Sequence, residues 1–172
     1  MDLVRDASTR AFGTRLRRLS ERLDREVQDI YRVAGVDFEP RWFAVVTALR
    51  AEGPLSVGEL ASRIGVTHAA VSQVRSALTA RGLVEAAPDA SDMRRQVLAL
   101  TDAGQAAADR LEPVWAAITE ATQSLLQTAA PRLLQELDGL EAELASQGLA
   151  ERVLARLAAN QTADDDTQKA TR

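Results

Sequence analysis

The sequence predicts a mainly α-helical protein that carries one small β-hairpin, and three observations make that prediction. Alanine (32) and leucine (22) supply about a third of the 172 residues, a bias toward helix on intrinsic propensity. Apolar side chains recur at steps of three and four through most of the chain. Strand character appears in only two short runs, 83–87 and 96–100, around a polar loop.

Taken in order, residues 8–34 carry Phe12, Leu16, Leu19, Leu23, Val27, Ile30 and Ala34 on one helical stripe, which Gly35 closes. At 1.5 Å per residue that helix is roughly 40 Å long. It exceeds what one small domain needs, so part of its face is expected to meet a partner chain. A second helix is expected over 40–51, with Pro40 in its first turn and Gly53-Pro54 as its stop. Two short helices fill 57–81, and the hairpin follows. Thr101 caps a further helix, whose stripe is Ala107, Leu111, Val114/Trp115, Ile118, Thr122 and Leu125. Pro113 is expected to bend it. Pro131 starts another helix bearing Leu133, Leu134, Leu137, Leu140 and Leu144, and Gly148 separates it from a last one over 149–159. Residues 160–172 (NQTADDDTQKATR) are polar and aperiodic, and are expected to be disordered.

Composition excludes several functions. There is no cysteine, hence no disulfide, thiolate nucleophile, Cys-ligated zinc or iron–sulfur cluster. A lone histidine, His68, cannot supply the imidazoles of a usual catalytic zinc site. No cofactor or metal is therefore expected. The charged N-terminus lacks the apolar core of a signal peptide, and no stretch approaches a bilayer span, so the expected location is the cytoplasm, away from membranes. Net charge is −4. It is unevenly spread: residues 41–100 carry an excess of two basic groups, while residues 101–172 hold 12 acids against 6 bases. Electrostatic footprints are local, so nucleic acid remains a candidate partner.

The informative stretch is 56–74. Ser56 caps a helix and Glu59, three residues on, completes a capping box. Ala61 stands where two helix axes approach, and Gly65 falls at a turn that asks for positive φ. Thr67 caps the second helix, and Leu60, Ile64, Val66, Val71 and Val74 are expected to share a core. This is a helix-turn-helix pattern, and the hairpin after it makes the whole a winged helix. An ordinary helical hairpin in a bundle would match the first part but not the wing.

At Leu55-Ser56-Val57-Gly58-Glu59-Leu60-Ala61, Gly65-Val66-Thr67, Ser72, Leu78, Gly82-Leu83-Val84 and the wing Asp89…Asp92…Arg94…Leu98…Leu100-Thr101-Asp102-Ala103-Gly104, the chain resembles the MarR family of bacterial transcription regulators. The resemblance covers about residues 10–147. It implies a winged helix-turn-helix flanked by long dimerisation helices, and a homodimer reading a pseudo-palindromic operator in double-stranded DNA. The parts are then residues 1–36 and 102–159 for dimerisation, 37–101 for the DNA-binding lobe, and 160–172 as tail.

On the second helix, Val71, Val74 and Leu78 face inward and leave Thr67, His68, Ser72, Gln73, Arg75 and Ser76 for DNA. Gln73 stands where the family commonly has arginine, and glutamine pairs with adenine N6/N7 rather than guanine. Ser72 suits a phosphate or base edge, His68 a phosphate or a thymine methyl, and Arg75 a phosphate unless an intrachain acid takes it. In the wing, the family's usual minor-groove arginine is replaced by Ser91. Arg94 matches the arginine that braces the loop against Asp89 or Asp92, which leaves Arg95 to reach the groove.

In the resembling family, effectors bind near the junction of dimer helices and DNA lobe. Arg15, Arg41, Trp42, Phe43 and Trp115 are the residues expected there, and they suit a small aromatic or anionic compound. The leading expectation is a repressor released by such an effector; the alternative is a winged helix used for protein contacts, without an operator. No paired carboxylates, nucleophile–base set or phosphate loop points to an enzyme.

Overall fold

The computed structural model describes residues 2–88 and 96–170, with side chains through residue 160. In chain order the elements are α1 (Leu3–Asp6), a 3-10 turn (Ser8–Ala11), α2 (Phe12–Val33), a second 3-10 turn (Pro40–Trp42), α3 (Phe43–Glu52), α4 (Val57–Ile64), α5 (His68–Ala80), β1 (Val84–Pro88), β2 (Gln96–Leu100), α6 (Asp102–Ala129), α7 (Leu133–Ser146) and α8 (Leu149–Ala170). They divide into two compact units, one through Thr119 and one from Glu120.

The first long helix is shorter than the 8–34 segment expected from the sequence. Ser8 takes φ 51°, which turns the chain out of helix, and α2 begins only at Phe12. Its 22 residues span about 33 Å. The end is as the sequence implies: Gly35 has φ 69°, its N–H donates to Arg32 O at 3.1 Å, and Val36 N–H donates to Tyr31 O at 2.9 Å. That pair of bonds is a Schellman closure. Among the described residues the stripe has little cover. Phe12, Leu16, Leu19, Leu23 and Ile30 are 42–52% exposed, and only Val27 is half-buried.

The core of the first unit is built by α3, α4, α5, the hairpin and the start of α6 around Trp42, Leu60, Leu78 and Leu111, each fully buried. Ser56 Oγ accepts from Glu59 N–H at 3.3 Å, and Glu59 Oε2 accepts from Ser56 N–H at 2.9 Å, so the capping box is formed. Gly65 ends α4 at φ 73°. Ser56→Ala should therefore cost about 1 kcal/mol. It would appear as a lower urea midpoint at unchanged slope; an unmoved midpoint would contradict the capping role. One expected core residue is not in it. Val66 is 44% exposed, because its N–H is committed to Ala61 O at 3.0 Å and the turn carries its side chain outward.

The hairpin pairs Val84 with Leu100 and Pro88 with Gln96 in antiparallel register. Leu55 adds a bridge on the far side of β2, with N–H to Leu98 O at 3.1 Å and O from Leu98 N–H at 2.8 Å. The wing is thus stitched to the chain entering α4. Thr101 caps α6 as expected, its Oγ1 accepting from Gly104 N–H at 3.0 Å and donating to Gly82 O at 2.6 Å. α6 runs through Pro113 without interruption.

In the second unit, Arg152 bridges the break between α7 and α8, donating to Gln147 O at 2.9 Å and to the Glu143 carboxylate at 2.8 Å. Leu134, Leu140, Leu144, Leu149, Leu154 and Leu157 stay exposed. The disorder expected from residue 160 onward is corrected over most of its length, since α8 continues to Ala170. Residues 160–170 contain neither glycine nor proline, and extending an existing helix avoids the cost of nucleating one. Among the described residues, no helix is long and apolar enough to cross a membrane.

Candidate nucleic-acid interface

α5 presents two faces. Val71, Val74 and Leu78 are buried, at 1%, 6% and 0% exposure, and anchor it to α4 and the core. Thr67, His68, Gln73, Arg75 and Ser76 are exposed, while Ser72 is half-buried. Thr67 Oγ1 accepts from Ala70 N–H at 3.2 Å, so this hydroxyl is occupied in starting the helix. Ser76 donates its hydroxyl to Ser72 O at 3.0 Å. Gln73 and Arg75 make no hydrogen bond or ion pair among the described residues. Both heads are available to an outside partner, and the intrachain acid weighed for Arg75 is not found among them.

His68 is placed by a neighbour that sequence reasoning did not connect to it. A Cβ on Gly58 would lie 3.4 Å from His68 Cε1 and 4.0 Å from Ser56 Oγ, so the imidazole lies across the first turn of α4. The two helix starts of the motif and the histidine therefore share one edge. Arg94 and Arg95, with Asp89 and Asp92, lie outside the described residues.

The other end of α5 is fixed by Arg81, its C-cap residue, which carried no signal in the sequence. Its Nε donates to Asp37 Oδ2 at 3.2 Å, and its guanidinium carbon stands 4.5 Å from the centroid of the Trp42 ring. A cation at a helix C-terminus is favourable to the dipole, and stacking on indole holds it there. Arg50 does similar service for α3 and α6, reaching Asp109 at 2.6 Å and Glu112 at 2.7 Å. Both arginines depend on partners dozens of residues away, which no local pattern reveals.

Of the residues expected at an effector pocket, Trp42, Phe43 and Trp115 join one aromatic cluster around Phe38, and Arg15 and Arg41 do not. Trp42 is wholly buried, and its Nε1 is the one buried side-chain polar atom without a hydrogen-bond partner among the described residues. Trp115 Nε1–H donates to the Tyr31 hydroxyl at 3.0 Å, and burial pushes that hydroxyl's pKa up. Phe43 meets Trp115 edge-on at 5.2 Å and is 41% exposed. A crevice of about 350 Å³ beside Trp115 is lined by Thr47, Arg50, Ala51 and Glu112. Arg41 turns instead to Glu39 at 2.7 Å, and Arg15 lines a separate cleft on α2.

Known proteins share this arrangement. The sequence profile described as "MarR family" matches residues 36–95. A transcriptional repressor of the helix-turn-helix type from Pseudomonas putida, NicR, is 34% identical over 84 residues. That stretch is 49% of this chain and 53% of NicR, about half of either. The PcaV regulator of Streptomyces coelicolor, solved with its natural ligand, superposes with a TM-score of 0.61 at 26% identity, covering 86% of this chain and 97% of PcaV. BpsR of Bordetella bronchiseptica, whose DNA binding is regulated by 6-hydroxynicotinic acid, gives 0.60 at 26% identity over 73% of this chain and 91% of its own.

Proposed function

We propose, from the premise that this chain belongs to the MarR family, that it is a homodimeric repressor which binds a specific operator and leaves it when a small effector binds. The observation that carries the reading is α5: a helix anchored by Val71, Val74 and Leu78 that exposes Gln73 on its far side and Arg75 on its flank, neither head hydrogen-bonded or ion-paired among the described residues. A helix-turn-helix places such a face in the major groove. Gln73 would then read adenine through N6 and N7, and Arg75 would clamp a phosphate. Thr67, His68, Ser72 and Ser76 complete the contact edge, and Arg94 and Arg95 serve from the wing, with Arg95 toward the minor groove.

The exposed stripes support the dimer. Five large apolar side chains on α2 and six leucines on α7 and α8 stay exposed among the described residues, and such surfaces mark contact with a partner. Residues 1–36 and 102–159 are accordingly assigned to dimerisation and 37–101 to the DNA lobe. Two copies would present two α5 helices to major grooves about 34 Å apart. An effector would shift the population toward a spacing that fits less well. The relatives support a small aromatic or anionic compound, met by Arg15, Arg41, Trp42, Phe43 or Trp115; 6-hydroxynicotinic acid, which acts on BpsR, is a reasonable first probe. A cytoplasmic site of action and the absence of catalysis follow from this reading.

The test is selection of bound DNA from a random pool, then titration of the selected site and of random DNA across salt. Affinity should fall steeply as salt rises, while specific binding survives competitor. Gln73→Ala should weaken the selected site by about 1–3 kcal/mol and random DNA hardly at all. Equal losses on both would remove Gln73 as a base reader, and failure to select any site would favour a winged helix that binds protein.

A further inference from the structure

α5 is held along its inner face and again just past its last turn, and the two holds differ in kind. Val71, Val74 and Leu78 set how closely the helix lies on α4 and the core. Apolar burial is non-directional, so it fixes depth more firmly than tilt. The far end is built otherwise. Gly82 takes φ 66°, Leu83 N–H donates to Leu78 O at 3.0 Å, and Gly82 N–H donates to Thr79 O at 2.9 Å. This closure fixes the backbone from which the Arg81 side chain leaves.

That side chain crosses to the loop after α2. Its guanidinium carbon lies 4.5 Å from the centroid of the Trp42 ring, its Nε 3.2 Å from Asp37 Oδ2 and its Nη2 3.9 Å from Glu39 Oε1. Trp42 is a fixed floor, fully buried and met edge-on by Phe38 at 5.4 Å. Phe38 in turn meets Tyr31 of α2 at 5.3 Å and Trp115 of α6 at 5.7 Å, and its O accepts from Gln28 Nε2 of α2 at 3.0 Å. One run of contacts therefore leads from the end of α5 to α2 and to the first half of α6.

Arg81 is poorly suited to touch DNA itself. It stands eight residues beyond Gln73, about 12 Å along the helix axis. Asp37 and Glu39 face it, and Arg41 shares Glu39 at 2.7 Å. Two acids thus answer two bases, and no net charge is left for a phosphate.

We infer that Arg81 is a positioning residue for operator reading: stacked on Trp42, it sets the tilt at which α5 presents Gln73 to the major groove. Without the stack the helix samples more tilts, and only a fraction of molecules is ready to bind. A bidentate contact to a base edge needs one tilt, whereas phosphate contacts carry no sequence information and tolerate several. Arg81 thus acts on specificity while making no contact with DNA. The inference rests on the proposed operator binding and deepens it.

The experiment measures binding of full-length Arg81→Met and Arg81→Lys to the selected site and to random DNA across salt, well below the melting temperature of each. Methionine keeps an unbranched apolar stem and loses the charge; lysine keeps a cation for the ring and loses the fork. Arg81→Met should weaken the selected site by about threefold to tenfold, the scale of a cation stacked on indole, and leave random DNA and the salt slope unchanged. Arg81→Lys should recover most of that loss. Equal losses on both DNAs with a slope shallower by about one would make Arg81 a phosphate contact and overturn the inference. Unchanged discrimination in Arg81→Met overturns it too, as does an Arg81→Lys protein no better than Arg81→Met. Should Arg81→Met fail to fold, Arg81→Gln replaces it; failure of both makes Arg81 a folding residue and ends the inference. Failure of the operator reading shows earlier and separately, as a wild type that selects no site, and it removes the inference as well.

Discussion

Replacing Gly104 by alanine is expected to lower stability by about 3 kcal/mol or more, at the upper end of what overpacking costs. A Cβ at that position would fall 2.0 Å from Leu83 O, 3.0 Å from Leu83 C and 3.3 Å from Leu100 Cδ2. The nearest obstacle is backbone, which cannot turn aside as a side chain can. The first turn of α6 would have to lift away from the hairpin. Lifting it breaks the bonds from Thr101 N–H to Leu83 O, at 3.1 Å, and from Thr101 Oγ1 to Gly82 O, at 2.6 Å. For a chain of this size the loss corresponds to roughly 6–12 °C in melting temperature. Gly139, inside α7 with nothing within 4 Å of an added Cβ, provides the control. Gly139→Ala should stabilise by about 0.5–1 kcal/mol through helix propensity. Equal melting shifts from the two substitutions would show that close approach at Gly104 is not what the geometry indicates.

Trp115→Ala should cost about 3–5 kcal/mol, the usual range for emptying a buried aromatic site. Trp115 is 6% exposed and touches two rings edge-on, Phe38 at 5.7 Å and Phe43 at 5.2 Å between centroids. Trp115→Phe separates packing from hydrogen bonding, because it preserves most apolar volume but deletes the donor to Tyr31. It leaves the hydroxyl of Tyr31, a residue only 1% exposed, without that partner, which costs about 1–3 kcal/mol. Adding Tyr31→Phe should then restore part of the loss, since replacing both partners is cheaper than stranding one. Urea denaturation of the four proteins in a double-mutant cycle measures the coupling. Strict additivity would mean the 3.0 Å bond contributes nothing to folding.

What could be read from the sequence divides by range. Ser56 with Glu59, Gly65 and Thr67 each act within a few residues, so the motif's caps and turn were visible as letters. The inward face of α5 followed from spacing alone, as did the hairpin. Pairing in space was another matter. Gly104 looks like an ordinary first-turn glycine until Leu83 O arrives against it from 21 residues away. Asp37 and Trp42 meet Arg81 only because the loop after α2 returns to the end of α5. The aromatic residues taken together as a pocket do meet, but as packed rings around Phe38, with Trp42 and Trp115 in the core, while Arg41 follows the nearer carboxylate of Glu39. Val66 shows the converse error, an apolar letter at a turn whose backbone geometry sends it outward. In 160–170 polarity argued for disorder, yet nothing there stops a helix already running.

Trp42 and Trp115 carry a practical consequence. They are the only tryptophans in the chain, both are buried in the first unit, and no aromatic residue follows Trp115. Ultraviolet-excited emission from this protein therefore originates wholly from that unit. It should be short-wavelength when native and move to longer wavelength as the indoles meet water, while α7 and α8 stay optically silent. Comparing the emission transition with the far-ultraviolet helical signal gives a label-free way to ask whether the two units melt together.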